Sequence, residues 1–498
     1  MSKPLNYLAL DLGAESGRAI LGRYDGESLS LTEVHRFSNG PVRLPDRGGR
    51  PSLHWDVLRL WGEIQRAIAV AGQFGALAGI GLDTWGVDFC LLDRQDRLIG
   101  NPYHYRDDRT DGMLDEAFKR VPRERIFAQT GIQFMQINTL YQLLAMVVDE
   151  SPALQSAATF LTMPDLFNYW LTGRTACEFS NATTTQCYDP LRRAWATPLL
   201  ESMSIPAGIF PEIVLPGTVL GRLAPGLIDG TDVAGVPIIA PACHDTGSAV
   251  AAVPAVGANF AWISSGTWSV LGAELPEAVI TPESLANNFT NEGGVGGTFR
   301  FSKNIMGLWL VQECRRTWAS AGEAHSYDEL THMAADAPAL KAIVDPDDGD
   351  FLKPGDMPAR IRAFCARTGQ PVPETKGQVI RAALEGIALK YRFQLERLER
   401  MVGRCLEPIH IVGGGTQNRL LSQFTADATG REVLTGPIEA TAIGNLVVQL
   451  MATGALGSLA EARALVRRSF ATESYNPQHT GRWDEAYGRF CHLSRSRG

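Results

Sequence analysis

Twice along this chain a run of strand-forming residues reaches a glycine turn and passes straight back into a second strand, an order that separates both turns from phosphate loops that lead into a helix. Leu5 to Leu10 (LNYLAL) leads through DLGAESG, Asp11 to Gly17, into RAILGRY before the Asp25-Gly26 turn. Far downstream, ANFAWISSGTWSVLGAEL, Ala258 to Leu275, repeats the order with SSGT, Ser264 to Thr267, at its apex. A P-loop and a dinucleotide-binding turn both lead into a helix instead, and the chain has neither G-x-x-x-x-G-K-[ST] nor G-x-G-x-x-G. A hairpin containing Gly13, Ala14, Ser16 and Gly17 leaves backbone N–H groups and a hydroxyl able to face phosphate oxygens, although an ordinary surface hairpin reads the same way. At 498 residues the chain is too long for one hydrophobic core. One hairpin near the start of each half therefore predicts duplicated α/β domains, 1–245 and 246–498, that grip one phosphate chain from two sides.

The two halves meet at CHDTGSAVAAV, Cys243 to Val253. VPIIAPA upstream has the apolar, β-branched composition of a buried strand, and TGSAVAAV downstream has the small residues of a tightly packed helix. Asp245 thus falls where a strand hands over to a helix. Unpaired backbone N–H groups in that first turn favour an ionised carboxylate, which suits a base; Asp is also a preferred N-cap, and the position alone serves either role. Cys243 has apolar neighbours and reads as small core filler.

Other stretches add possible ligand contacts. Asp11, at the end of the first strand, can reach a metal on the phosphates. LAGIGLDTWGVDFCLLD, Leu77 to Asp93, has a strand on each side of a Thr-Trp-Gly interruption, where Gly86 marks either a bulge or a close approach of ligand to the main chain. PYHYRDDRT, Pro102 to Thr110, is a loop of aromatic and charged residues suited to a sugar or to a solvated ion-pair network. Gly131 to Leu171 reads as helices broken by Pro152 and Pro164, and NATTTQCYD as a polar connection. Asn304 and Gln312 lie in a strand and helix after a glycine-rich loop. Gln378 to Met401 is a long amphipathic helix, and the helices after Gly444 read as packing elements. At IVGGGTQN a flat ring can lie on Gly413 to Gly415, since no side chain stands in its way.

Composition excludes several classes. The net charge is -8 with no large basic cluster, which argues against a nucleic-acid partner. No apolar run approaches the roughly 20 residues of a membrane span, the start lacks a signal-peptide pattern, and a cytoplasmic enzyme is expected. The eight cysteines include no C-x-x-C pair and read as reduced.

Two phosphate hairpins, a glycine platform and one helix-start carboxylate together fit nucleotide-dependent phosphoryl transfer, which needs positioning, charge neutralisation and one base. DLGAESGR, GLDTWGVDF, YRDDRT, NATTTQ, HDTGSAV, SSGTWS, NEGG, KNIMGLWLVQ, IVGGGTQN and ADATG run from Asp11 to Gly430, and through them the chain resembles the FGGY carbohydrate kinases of the actin, hexokinase and Hsp70 superfamily. The resemblance implies two ribonuclease-H-like (actin-like ATPase) domains closing over a central cleft. It implies that L-rhamnulose is phosphorylated on its 1-hydroxyl by ATP with Mg2+ in L-rhamnose breakdown, with L-fuculose or L-xylulose as the alternative ketose. It implies Asp245 as the base, with Gly86, His244, Thr246 and Asn304 also at the sugar. Ala14, Glu15, Ser16, Gly17, Arg18, Thr267, Gln312 and Gly414 contact ATP on this reading, and Asp11 holds the magnesium. The ketose and ATP are the expected partners, and the enzyme is expected to be a monomer or homodimer. Glu15 and Cys243 depart from the family pattern, which has a small Ser at each; an acidic Glu15 beside phosphates must turn outward or use only its backbone. A sensor or chaperone on the same fold, binding ATP without transferring phosphate, is the rival of another class, and the retained Asp245 speaks against it.

Overall fold

Both glycine turns are hairpins in the computed structural model, which describes residues 3–45, 51–229 and 233–495. The chain forms two compact units: one comprises Met1–Ala252, Glu274–Phe301 and Ala440–Ser469, and the other Val253–Ala273, Ser302–Glu439 and Phe470–Gly498.

The first unit is built on a six-stranded sheet. Strands β1 (Leu5–Leu12), β2 (Ser16–Tyr24) and β3 (Leu29–Ser38) form an antiparallel meander, and β4 (Leu77–Thr84) runs parallel to β1 on its other side. Beyond β4 lie β6 (Pro237–Ile239), parallel to it, and then β5 (Val219–Arg222). From Tyr7 to Leu12, β1 is buried at every residue, which explains its unbroken apolar run: a central strand covered on both faces does not alternate. The Val57–Gly72 helix, capped by Asp56, buries Leu60, Ile64, Ala67, Ile68 and Ala71 in the core of this sheet, at helical spacing.

The Ala440–Ala452 helix, far along the chain, also packs on this sheet. β4 carries glycine at alternate positions where that helix comes close: a Cβ on Gly81 would lie 2.4 Å from Asn445 Oδ1, and one on Gly79 would lie 3.0 Å from Gln449 Oε1. The helix in turn touches the short Asp245–Ala251 helix at Gly444, where a Cβ would lie 1.7 Å from Ser248 O.

The second unit repeats the central topology. Strands β7 (Ala261–Ser265) and β8 (Trp268–Leu275) form the antiparallel hairpin, and β9 (Ile409–Val412) runs parallel to β7, as β4 does to β1. Outside β9 come β10 (Val433–Thr435), parallel, and β11 (Glu473–Tyr475), antiparallel. The expected long helix spans Lys376–Val402, starts with a Thr375–Gln378 capping box and stops at left-handed Gly403.

Three local expectations change. Pro152 and Pro164 do not break helices; they stand in the first turns of Pro152–Ser156 and Met163–Thr172, where the missing N–H costs nothing. In NATTTQCYD, Asn181 to Thr184 are not a connection but the end of the Phe179–Thr184 helix, because the buried Glu178 carboxylate accepts from the N–H groups of Ser180 and Asn181 and starts the turn. The Ala440–Ala452 helix is more than packing, because it places Asn445 against a buried carboxylate.

Candidate functional site

The turn that carries Asp245 is held from below. Thr84 N, at the end of β4, donates to Cys243 O at 2.9 Å, and Thr84 pairs with His244 as a parallel bridge. Cys243 N donates to Glu178 Oε2 at 2.9 Å, and His244 N donates to Ser180 Oγ at 3.1 Å. Ser180 Oγ itself donates to Glu178 Oε2 at 2.5 Å. One buried carboxylate therefore holds Cys243 N directly and His244 N through Ser180, and its burial pushes Glu178 up to about 7. Burial also raises the Cys243 thiol well above its usual value, in keeping with its reading as core filler.

His244 caps the helix and Asp245 is its first residue. Asp245 Oδ1 accepts from Thr246 N and from Thr246 Oγ1, the latter at 2.9 Å, and lies 3.4 Å from His244 Nε2. Among the described residues no hydrogen bond occupies Oδ2, and the Asp245 side chain is 34% exposed, so this oxygen is the one able to accept a proton from outside. Behind His244 stands Arg300, with no solvent exposure, whose Nη2 lies 2.9 Å from His244 Nδ1 and 3.2 Å from Glu292 Oε2. Burial would raise the Glu292 carboxyl, but the charge of the Arg300 guanidinium helps to hold it below the usual carboxylate range.

The first hairpin presents a second group of charges. In its turn, Gly13 N donates to Ser16 O at 2.9 Å, and Asn39, just after β3, holds the turn through its N to Glu15 O at 2.9 Å and its Nδ2 to Gly13 O at 2.8 Å. Ala14 and Ser16 are half-buried, and the Glu15 side chain is exposed, as the outward orientation requires. Gly17 faces Phe37: a Cβ there would lie 2.1 Å from the ring, so the glycine serves packing beneath the turn. Arg18 is the register partner of Asp11 and its Nη2 donates to Asp11 Oδ2 at 2.6 Å.

Sequence reasoning passed over Asp83. It is the parallel partner of Asp11, lies fully buried, accepts from Asn445 Nδ2 at 2.6 Å through Oδ2, and among the described residues leaves Oδ1 without a hydrogen-bond partner. Burial first, and then the charge of Asp11, raise its carboxyl well above the usual range. A signal was present in the repeated Leu-Asp at two strand ends, LALDLG and IGLDTWG.

Gly86 sits where β4 ends. A Cβ there would lie 3.0 Å from the Thr184 side chain, and Val87, at φ 67°, donates its N–H to Thr184 Oγ1 at 3.1 Å. The neighbouring loop is only partly solvated: His104, Asp107 and Thr110 are buried, whereas Arg106 and Asp108 are exposed. Asp88 accepts from Trp55 Nε1 at 2.6 Å, Trp85 Nε1 at 2.9 Å and Gln142 Nε2 at 2.9 Å, and burial raises it to about 6. His104 stacks on Trp55 with centroids 4.2 Å apart, and burial lowers its imidazole to about 4, which keeps it neutral. This differs from a fully solvated ion-pair network: Arg109 lies over the Tyr103 ring, 3.9 Å from its centroid, and donates to Gln142 Oε1 at 2.7 Å.

In the second unit, Thr267 Oγ1 donates to Gln312 Oε1 at 3.0 Å. The start of the Trp309–Ser320 helix is tied to the hairpin apex by Leu308 N to Gly266 O at 3.0 Å and Trp309 N to Thr267 O at 3.1 Å. Gly413, at φ 88°, follows β9 beside the end of β7, and a Cβ on Gly415 would lie 2.0 Å from Ser265 Oγ. Gly414 between them is exposed with open space where a Cβ would stand, the surface a flat ring needs. Asn304 lies half-buried on the Phe299–Met306 strand.

The N-terminal domain of the FGGY family of carbohydrate kinases matches residues 6–252, and the C-terminal domain matches residues 261–453. The chain is 43% identical over 486 residues to a rhamnulokinase of Bacteroides thetaiotaomicron, covering 97% of this chain and 98% of that protein. It is 41% identical over 475 residues to a rhamnulokinase of Halalkalibacterium halodurans, covering 95% and 99%. Among solved structures, it shares its fold with a ligand-bound xylulose kinase from Lactobacillus acidophilus (TM-score 0.81, 17% identity, 99% of this chain and 98% of that one). It likewise shares the fold of a Plasmodium falciparum glycerol kinase with ADP (TM-score 0.80, 16% identity, 99% of each chain). Matched in both domains and over 40% identical to relatives across nearly its whole length, the chain belongs to the FGGY family of carbohydrate kinases.

Proposed function

We propose that this chain is a rhamnulokinase that transfers the γ-phosphoryl group of ATP to the 1-hydroxyl of L-rhamnulose, giving L-rhamnulose 1-phosphate and ADP in L-rhamnose breakdown. The observation that carries the choice of sugar is the 43% identity to a rhamnulokinase over 97% of the chain.

Asp245 is the base on this reading: Oδ2 takes the proton of the attacking hydroxyl while Oδ1 stays held by Thr246. His244, Thr246, Gly86 and Asn304 contact the sugar. Ala14 to Arg18 contact the phosphates, Glu15 through its backbone, and Thr267, Gln312 and Gly414 contact the rest of ATP. On this reading residues 1–245 hold most of the sugar and phosphate contacts, with Thr246 and Asn304 at the sugar from the second stretch, and residues 246–498 hold the adenosine. Asp11 and Asp83 offer the hard carboxylate oxygens that Mg2+ prefers, and the unpartnered Asp83 Oδ1 fits a cation held at Asp11. Bound there, the ion would neutralise charge on the transferring phosphoryl group. The enzyme is taken as a cytoplasmic monomer or homodimer; among the described residues, no helix is long and apolar enough to cross a membrane.

Coupled ADP release with L-rhamnulose, L-fuculose and L-xylulose tests the sugar: kcat/KM highest on L-rhamnulose is expected, and preference for another ketose overturns the assignment. Asp245→Asn should lower kcat by about 10²- to 10⁴-fold, roughly 3 to 5 kcal/mol of barrier, with ATP affinity kept. An unchanged kcat removes Asp245 from the role of base.

A further inference from the structure

Asp245 is oriented partly by His244, and His244 can help only in one of its two neutral forms. A guanidinium has donors and no acceptor, so the 2.9 Å contact from Arg300 Nη2 to His244 Nδ1 requires a lone pair on that nitrogen. The ring proton then sits on Nε2, which lies 3.4 Å from Asp245 Oδ1 and can donate toward it. Glu292 Oε2, 3.3 Å from the same Nδ1, competes for the opposite form, with the proton on Nδ1. The shorter contact belongs to Arg300, which Glu292 itself holds at 3.2 Å and whose Nε is anchored on Gly293 O at 2.9 Å.

We propose that Arg300 is a positioning residue that selects the Nε2–H tautomer of His244, so that the imidazole donates to Asp245 Oδ1 and leaves Oδ2 to receive the proton. The inference rests on the reading of Asp245 as the base. Glu292 neutralises Arg300 at no solvent exposure, which lets a buried cation stand behind a neutral imidazole. Without Arg300, Glu292 is left as the partner of Nδ1 and draws the ring proton there. Nε2 then presents a lone pair to Oδ1, two acceptors face each other, and the carboxylate turns out of register.

The test uses the full-length protein labelled with 15N in its nine histidines, the His244 signals being assigned by their loss in His244→Gln. In the unaltered protein, Nε2 should be protonated and Nδ1 bare; a proton on Nδ1, in either the other tautomer or an imidazolium, overturns the proposal without need of any Arg300 variant. In Arg300→Met the ring should switch to the Nδ1–H form. kcat should fall about ten- to a hundredfold, the range usual for residues that orient a reacting group, with the KM for ATP unchanged. Arg300→Lys keeps a donor without an acceptor and should restore the tautomer and part of kcat; it also serves if the Met variant does not fold. A normal kcat in Arg300→Met beside a crippled Asp245→Asn would reject the positioning role while leaving the base in place. A normal kcat in Asp245→Asn would remove the base itself, and the nitrogen spectrum would still report the tautomer.

Discussion

Asp165→Asn should stabilise the protein, and only above the acid range. Asp165, 3% exposed in the first turn of the Met163–Thr172 helix, accepts from Thr162 Oγ1 through Oδ2 and from Glu178 N at 3.1 Å through Oδ1. Burial, with the charge of Glu178 adding to it, raises its carboxyl from 3.8 to about 7. The folded protein therefore keeps a proton there up to about pH 7, whereas the unfolded chain loses it near pH 3.8. Between those values the folded state binds more protons, so stability falls as pH rises, by about 1.4 kcal/mol per pH unit and about 4 kcal/mol in all. Asparagine keeps the shape, offers its oxygen to Glu178 N and its amide to Thr162 Oγ1, and carries no charge to desolvate. The variant should match the wild type within about 1 kcal/mol at pH 4 and exceed it by about 4 kcal/mol at pH 8. It also removes a charge beside Glu178, itself raised to about 7, which acts in the same direction. Urea melts at a series of pH values, followed by tryptophan emission, measure the difference. An offset that stays constant with pH would show that Asp165 is ionised in the folded protein and would refute the linkage.

Gly444→Ala should destabilise by about 3 kcal/mol, the upper end for overpacking, because the added Cβ meets the Ser248 carbonyl at 1.7 Å and main chain cannot step aside as a side chain can. A thermal melt checks it, and a midpoint unmoved by the alanine would contradict the close helix contact. Thr375→Ala should cost about 1 kcal/mol by removing the capping box of the Lys376–Val402 helix, with Thr375→Ser close to neutral. Equal loss in both variants would assign the effect to the threonine methyl group.

The parts of the fold that were legible in the sequence are those written in consecutive residues. The two hairpins, the Val57–Gly72 and Lys376–Val402 helices and the handover at Asp245 each follow from local pattern and turn chemistry. Phe179–Thr184 escaped because its helix start depends on Glu178, a charged residue with no solvent exposure, whose capping role appears only when the Cys243 turn packs against it. The prolines misled for a related reason. Pro breaks a helix in its interior and suits its first turn, and for Pro164 that position is fixed by where the preceding Thr159–Thr162 strand ends.

The candidate site shows the same division more sharply. Asp11, Gly86 and Asp245 lie at strand ends and a helix start that nearby glycines mark in the sequence, yet their surroundings are completed by residues remote in sequence. Asn445 reaches Asp83 across 362 positions, and it can do so because Gly79 and Gly81 clear the sheet surface and Gly444 lets its helix settle against Ser248. A glycine inside a strand or helix reads locally as a weakness. Here the three glycines are the surface impression of partners located elsewhere, and removing any one separates a carboxylate from its donor before it disturbs the turn that bears it. Arg300 is the parallel case: in FRFSKN it alternates as any strand residue does, and its meaning lies in the histidine nitrogen it faces.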